Sequence, residues 1–490
     1  MKNIMLIIFI IFSLNITATI INIPVDHLTI QGGVNAAVDG DTILIQQGIY
    51  YENIVISQKD IVIASLYLTT QDTSFISQTI VNGTQNGSVF QIGNYYESDE
   101  VYLIGFTITN GNGTFYDNCY CGGGIYSHHS NLHLSFMNIC YNVLSTSESY
   151  PNGGYLGAGI YNNSGNLYIN NSVITNNYID LFAFNIHTTA YALGFGAGIY
   201  SCSSTNGHSL SLNNVTVSNN HIIGYEIDDV IILQTGEGGG IWCGNAHVSI
   251  VNSSVENNQI SIINNYQQNA SGGAIYSGNC FLQLINSNIL NNSSSNFNGS
   301  NTGGIFLGTY GTSTINFTNS IIWNNLHPQI NGTSSSSLSI SYSDIEGGIS
   351  TITEMGTINW LDGNIDADPL FVDPENGNYH LTALSPCIDT GDPNSPFDPD
   401  GTITDIGAFY FDQLGYLLPP DNVTISVNND IVNISWFPVV GATSYSIFSS
   451  NDINEVCENW SLEVSNITNT FWNTSVNEVS KFYFVRAYAD

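Results

Sequence analysis

A short phrase recurs along the middle of this chain: small residues, then Ile, then an aromatic. It reads Gly122-Gly123-Gly124-Ile125-Tyr126, Gly157-Ala158-Gly159-Ile160-Tyr161, Gly196-Ala197-Gly198-Ile199-Tyr200, Gly238-Gly239-Gly240-Ile241-Trp242 and Gly272-Gly273-Ala274-Ile275-Tyr276, with a weaker copy at Gly303-Gly304-Ile305-Phe306. Successive isoleucines lie 35, 39, 42, 34 and 30 residues apart. A period of this size marks stacked units that bury a face only against their neighbours. A second phrase follows each first one. In the copy from Leu210 to Asn220, Leu210 and Leu212, then Val215 and Val217, alternate with Ser211 and Thr216. That is period two, so the units are strands and not helices. Strands that recur in one sense without a return path lie parallel. The predicted fold is all-β, a parallel β-helix solenoid with right-handed crossovers.

The residue types fit this geometry. Glycine lets the backbone turn into a strand without a Cβ clash. The branched residue points inward, and burying it stabilises by ~1.5–3 kcal/mol. Each copy ends in Asn, as in Ile174-Thr175-Asn176-Asn177 and Val255-Glu256-Asn257-Asn258. Asn tolerates left-handed backbone geometry at a turn, and stacked Asn side chains can bond along the axis as a ladder.

Composition bounds the function. Only 4 Lys and Arg stand against 39 Asp and Glu, a formal net charge of −35. Nucleic-acid binding needs a basic footprint, and there is none. Polyanions are repelled unless a cation intervenes. Residues 1–18 combine Lys2, an apolar run from Ile4 to Leu14 and small residues near Ala18, which reads as a secretory signal. No later run is apolar enough to span a bilayer, so the mature chain is expected to be secreted or held at the cell surface. Eight cysteines are too few for a disulfide scaffold. Cys119, Cys121, Cys202, Cys243 and Cys280 flank the glycine phrases and fit either disulfides or buried thiols. His129 and His133 at alternate spacing could share a strand face.

The segments between one Asn-Asn end and the next glycine phrase vary in length: 143–156, 178–195, 221–237, 259–271 and 293–302. They occupy one corner of every coil and are expected to stack as loops on one side, where function resides on a rigid scaffold. Their aromatics Phe182, Phe184, Tyr191, Tyr225 and Tyr266 suit sugar rings. The same residues equally suit packing of the loops onto the coils. Glu226, Asp228, Asp229 and Glu237 lie in one segment and its exit, and are the candidates for the carboxyl pair of a glycosidase.

Family resemblance enters at Ala37-Val38-Asp39-Gly40-Asp41-Thr42-Ile43-Leu44-Ile45 with Gly48-Ile49-Tyr50, which looks like the opening of pectin-lyase-like right-handed β-helices. Just before it, Ile30, Val34, Ala37 and Val38 sit at helical spacing, and a short helix there would cover the open end of the stack. The run Asp366-Ala367-Asp368-Pro369-Leu370-Phe371-Val372-Asp373-Pro374, with Tyr379-His380-Leu381, Ser385-Pro386-Cys387-Ile388-Asp389 and Asp405-Ile406-Gly407-Ala408-Phe409, resembles the closing portion of exported bacterial parallel β-helix repeat proteins. The likeness spans about 26–412 and implies an exported or surface protein without assigning a catalytic residue. The glycine phrases also resemble repeats of bacterial adhesins and polymorphic outer-membrane proteins. Residues 413–420 read as a linker. Residues 421–490 resemble a fibronectin type III module, a small β-sandwich with Trp436 in its core and Tyr483 on a late strand. The β-helix is expected over 20–412.

Two functions follow from this reading. One is a non-enzymatic extracellular protein that binds glycans or a host or cell-surface component through its stacked loops. The alternative is a polysaccharide-degrading enzyme, a hydrolase rather than a lyase. A lyase needs a basic side chain to neutralise a uronate and take its proton, and the solenoid offers only Lys59. No organic cofactor is implied. Asp392, Asp398, Asp400 and Asp405, with Gly401 at a turn, form a calcium candidate, although aspartates also cap turns. If calcium binds there, calorimetry with calcium on the order of millimolar gives heat and the melting temperature rises. No heat and an unchanged melting temperature remove the metal.

Overall fold

The structure is a computed structural model that describes residues 18–93, 99–145, 152–181, 190–204, 207–225, 232–262, 268–295, 302–308, 311–413, 420, 422–428, 431–439, 442–451, 460–475 and 481–488. From Ile20 to Trp360 the chain winds as stacked coils whose strands pair parallel with the neighbouring coils, apart from one antiparallel pair, Thr114–Tyr116 with Cys119–Cys121. It is a parallel β-helix. The coil that starts at Ile160 shows the plan. It runs Ile160–Asn163, turns, runs Leu167–Thr175, goes outward as Tyr178–Leu181 and returns as Ala190–Phe195. Repeated along the stack, these positions give a ten-stranded sheet, a 20-stranded sheet of two joined lanes, a five-stranded sheet and a six-stranded sheet.

The repeated isoleucines stand in register: Ile125, Ile160, Ile199, Ile241, Ile275 and Ile305 pair in sequence. With Leu132, Leu167, Leu210, Leu282 and their partners they form one continuous interior. The glycine phrase has two constraints. Its first glycine is left-handed, with φ of 61° to 69° at Gly122, Gly157, Gly196, Gly238 and Gly272. Its third lies against the next coil, where a Cβ on Gly159 would meet the Gly198 carbonyl oxygen at 2.5 Å.

The paired asparagines divide two tasks. The first of each pair turns the chain: Asn176, Asn219, Asn257, Asn291 and Asn324 have φ of 53° to 54°. The second forms a buried ladder. Asn142 Nδ2 donates to Asn177 Oδ1, Asn177 to Asn220, Asn220 to Asn258 and Asn258 to Asn292, each at 3.0 Å, and Asn292 donates to Asn325 at 2.9 Å. Each rung also bonds backbone, as where Asn220 Nδ2 reaches the Ile174 carbonyl at 3.0 Å. The ladder leaves the stack through Asn325 Nδ2 to Gln329 Oε1 at 2.8 Å and Gln329 Nε2 to Glu346 Oε2 at 2.6 Å.

Among the described residues, the segments 143–156, 178–195, 221–237 and 259–271 are mostly strands and not loops. Each is an arm with an outgoing and a returning strand, such as His221–Gly224 and Ile232–Glu237. The arms have their own core of Leu144, Tyr155, Ile179, Leu181, Ile222, Ile260 and Ile262. Glycine brings their two sheets together, since a Cβ on Gly236 would lie 2.6 Å from Ile260 Cγ2. Alternation in these short strands is masked in the sequence by Gly and Ser, so tertiary packing rather than hydropathy declares them.

The helix Ile30–Ala36 closes the N-terminal end, with Ile30 and Val34 in the common interior. Both of its ends are capped by charge. Glu52 accepts from Ile30 N and Gln31 N at 2.9 Å each. Lys59 Nζ donates to the carbonyls of Val34, Asn35 and Ala37 at 2.6, 3.1 and 2.6 Å. This placement suits the helix dipole. The run 366–411 follows the last coil. It packs along the flank, where Ala408 N donates to Asn288 Oδ1 at 3.0 Å and Asp392 N to Asn319 Oδ1 at 2.7 Å. Farther on, Thr424–Asn428, Ile431–Ser435 and Phe471–Ser475 form one antiparallel sheet, and Ser444–Ser450, Ser461–Ile467 and Phe482–Tyr488 another. They share a core of Val432, Ile434, Trp436, Tyr445, Ile447, Val485 and Ala487. Among the described residues no helix is long and apolar enough to cross a membrane.

The two asparagine tasks predict opposite tolerances. Asn220→Ala leaves buried donors and acceptors unpaired on both neighbouring coils and costs roughly 2–4 kcal/mol. Asn219→Gly keeps the left-handed turn and costs less than about 1 kcal/mol. Urea unfolding of the two variants checks the difference.

Candidate functional site

The site lies on the outer face of the 20-stranded sheet. Strand alternation sends Ile289, Ile322 and Ile345 into the interior and leaves Leu290, Trp323 and Glu346 outward. Pairing aligns Thr109, Cys140, Thr175, Ser218, Glu256, Leu290 and Trp323 in one outward column. Small polar side chains thus give way to large ones just where the run 366–411 crosses. Leu290 and Ile321 pack with Tyr379, Leu381, Cys387 and Ile406 of that run.

Two adjoining hollows open between the coil wall and this run. One, of about 260 Å³, is lined by Leu290, Asn291, Trp323, Asp368, Phe371 and Tyr379. The other, of about 670 Å³, is lined by Asn291, Asn324, His327, Glu346, Pro374 and Glu375. Asn291, Asn324 and Pro374 belong to both, so they form one cleft. Its polar groups are braced. Asn324 Nδ2 donates to Asn291 Oδ1 at 2.6 Å, and Asn324 N donates to Glu346 Oε2 at 2.8 Å. The Tyr379 hydroxyl accepts from Asn291 Nδ2 and from Asn257 Nδ2. Phe371 meets Tyr379 edge-on at 5.4 Å. No ring among the described residues stacks on Trp323.

Behind the cleft lie buried acids. Asp344 accepts the Cys387 thiol at 3.4 Å and Ala367 N at 3.2 Å. Burial pushes its carboxyl up to about 7, against the backbone bond from Ala367. Glu256 accepts from the Ser254 hydroxyl, and burial raises it to about 7 also. Tyr379 is raised first by burial and secondarily by the Glu256 charge.

The residues expected at a site are dispersed. Phe182, Phe184, Glu226, Asp228, Asp229 and Tyr266 lie outside the described residues, as does the signal segment up to residue 17. Tyr191 is placed on the returning strand Ala190–Phe195 by its backbone alone. Tyr225 follows the outgoing strand His221–Gly224 and is 40% exposed. Glu237 ends the returning strand, where its Oε2 accepts from Trp242 Nε1 at 3.0 Å and burial raises it to about 7. It sits in the corner where the returning strands meet the glycine-phrase sheet. That corner holds an aromatic ladder: Tyr126, Tyr161, Tyr200, Trp242, Tyr276 and Phe306 stack at centroid spacings of 5.2, 5.3, 4.6, 5.9 and 5.5 Å. These rings present their faces to one another, so they pack the corner and offer no platform for a sugar.

The four aspartates shape turns in the closing run. Asp398 Oδ2 accepts from Asp405 N, Asp400 from Thr402 N and Gln413 N, Asp405 from Asp389 N and Phe411 N, and Asp392 from Asn394 N. Among the described residues no group of three or more His, Cys, Asp or Glu is gathered as a metal would require. His133 stacks between Tyr102 and Tyr168 and pairs with Glu100 at 2.9 Å, while His129 occupies a turn with φ of 56°. They share no strand face. Cys119, Cys121, Cys140, Cys202, Cys243, Cys280 and Cys387 are free thiols. Sequence reasoning missed the cleft. The available signal was the change from Ser218 to Leu290 and Trp323 at equivalent repeat positions.

No protein-family model and no curated protein matches the sequence. Among solved structures, the crystal structure of pectate lyase Pel9A is similar at 14% identity and a TM-score of 0.35, over 80% of this chain and 96% of that chain. That likeness transfers no residue role; the β-helix assignment rests on the strand pairing itself.

The buried acids predict a pH dependence. Asp344 in the folded protein keeps its proton up to about pH 7, whereas the unfolded chain releases it near pH 4. The stability this group contributes is full below about pH 4 and is lost as pH rises through about 7. Buried His128 and His208, whose folded values are lowered by burial, act in the opposite sense below their ordinary range. The Asp344 share is therefore read as a difference. Relative to wild type, Asp344→Asn should gain about 3 kcal/mol between about pH 5 and 8 in urea unfolding. A constant difference across that range rejects the buried neutral acid.

Proposed function

We propose that this is an exported, non-enzymatic β-helix protein that binds a glycan chain in the cleft between its coils and the run 366–411. The observation that carries the reading is the cleft's chemistry. Trp323 and Phe371 supply apolar ring surface over the buried Tyr379, and Asn291 and Asn324 supply amides fixed by their own hydrogen bonds. Sugars need that combination, since their C–H faces stack on rings while their hydroxyls need oriented partners. Export rests on the apolar segment in 1–18. In this reading the β-helix covers 20–412, a linker follows at 413–420, and 421–490 is a fibronectin type III-like spacer that presents the solenoid at a surface. Calcium would act only to brace the turns of Asp392, Asp398, Asp400 and Asp405.

Lys59 supports the non-lyase reading, because its ammonium is committed to three helix-end carbonyls. Glu237 favours a second reading, a hydrolase. A carboxyl that burial raises to about 7 suits a general acid, and its partner would come from Glu226, Asp228 or Asp229. Release of reducing ends from a polysaccharide panel, abolished by Glu237→Gln, would establish the hydrolase. For the binding reading, isothermal calorimetry against a panel of neutral and charged oligosaccharides should give at least one ligand whose affinity falls tenfold or more in Trp323→Ala, with circular dichroism unchanged. Full affinity in that variant places the glycan elsewhere.

A further inference from the structure

We propose that the cleft selects a saccharide bearing protonated amines, a glucosamine-type chain, over acetylated or uronate chains. This rests on the glycan-binding reading and specifies its ligand. The charge around the cleft is one-sided. Glu346 and Glu375 line the larger hollow and Asp368 the smaller, and neither lining includes a Lys or Arg. His327 is the single basic side chain in either lining. Nor can a cation be lent from elsewhere in the chain. Of its four Lys and Arg, Lys59 caps the N-terminal helix, Lys481 pairs with Glu463 at 2.6 Å, and Arg486 lies against Phe448 and Phe484. Lys2 is in the signal segment.

Two of the carboxylates are also fixed in position by hydrogen bonds. Glu346 Oε2 accepts two N–H donors, from Asn324 and Gln329, at 2.8 and 2.6 Å. Asp368 Oδ1 accepts from Leu370 N at 3.0 Å. Glu375 is exposed beside Pro374 at the mouth. The three acids are spread along two hollows rather than gathered, and no described trio of ligands is close enough to hold a metal. A single divalent ion is therefore a poor match. A chain carrying one positive charge per sugar meets the acids one at a time, while Trp323 takes a ring face. A uronate chain would meet three like charges with no fixed cation between them, which costs affinity.

Three tetrasaccharides of matched length decide the matter, titrated calorimetrically into the mature protein at about pH 6 and at both low and high salt. They are the free-amine glucosamine oligomer, its N-acetylated form and oligogalacturonate. The amine form should bind tenfold or more tighter than the acetylated form, weaken in about 0.5 M salt as screened charges do, and lose fivefold or more in Glu375→Gln and in Asp368→Asn. Oligogalacturonate should not bind. Asp72→Asn, an exposed charge in the early coils, removes the same charge elsewhere and should leave affinity unchanged. Equal binding of amine and acetylated forms overturns the charge selection and leaves glycan binding standing. Equal loss in Asp72→Asn assigns the effect to net charge and also overturns it. Binding of the amine form that survives Trp323→Ala, with no other oligosaccharide bound, overturns the cleft itself.

Discussion

Parallel pairing of each coil with the next is the interaction on which the molecule depends. A coil has few backbone partners of its own, so most of its buried N–H and C=O groups are satisfied by the coils above and below. This makes register obligatory. The Asn142-to-Asn325 ladder enforces the same register with side chains, because each amide donates to the next and bonds a backbone carbonyl as well. A slip of one residue would break every rung and send Ile125, Ile160 and their partners to the outside. Repetition in the sequence is the chemical consequence of that stacking.

Once the interior is fixed, the outward positions are free to vary, and the site arises where they do. The column from Thr109 to Ser218 is small and polar; Leu290 and Trp323 are not. The run 366–411 covers the first part of this change, burying Leu290 and Ile321, and leaves a cleft beside it. The asparagine ladder delivers its last bond, through Gln329, to Glu346 on the cleft wall. A structural network of the scaffold thus ends as a positioned carboxylate at the surface.

The scarcity of cations has a structural side. The solenoid's Lys59 holds three carbonyls at a helix C-terminus opposite Glu52 at the N-terminus. The burial of Glu237, Glu256 and Asp344 raises each to about 7, so each is held in large part protonated at neutral pH and below rather than ion-paired. With so few basic groups, protonation is the available means of placing an acid inside.

The repeat period, the strand alternation and the glycine and asparagine phrases were enough to specify a parallel β-helix and a short N-terminal helix, because each depends on spacing along one chain. The same reading placed both asparagine roles on one residue; the fold divides them, since the left-handed turn and the inward ladder need adjacent positions. Tertiary structure alone decided that the intervening segments are two-stranded arms, because Gly194 and Gly236 carry no hydropathy signal yet let two sheets close on each other. It alone decided that the closing run lies on the flank, since Asn288 and Asn319 meet Ala408 and Asp392 across 120 and 73 residues. The cleft belongs to that second class. Trp323, Glu346, Phe371 and Tyr379 share no motif, and only the docking of a non-repeating segment on a repeating wall brings them together.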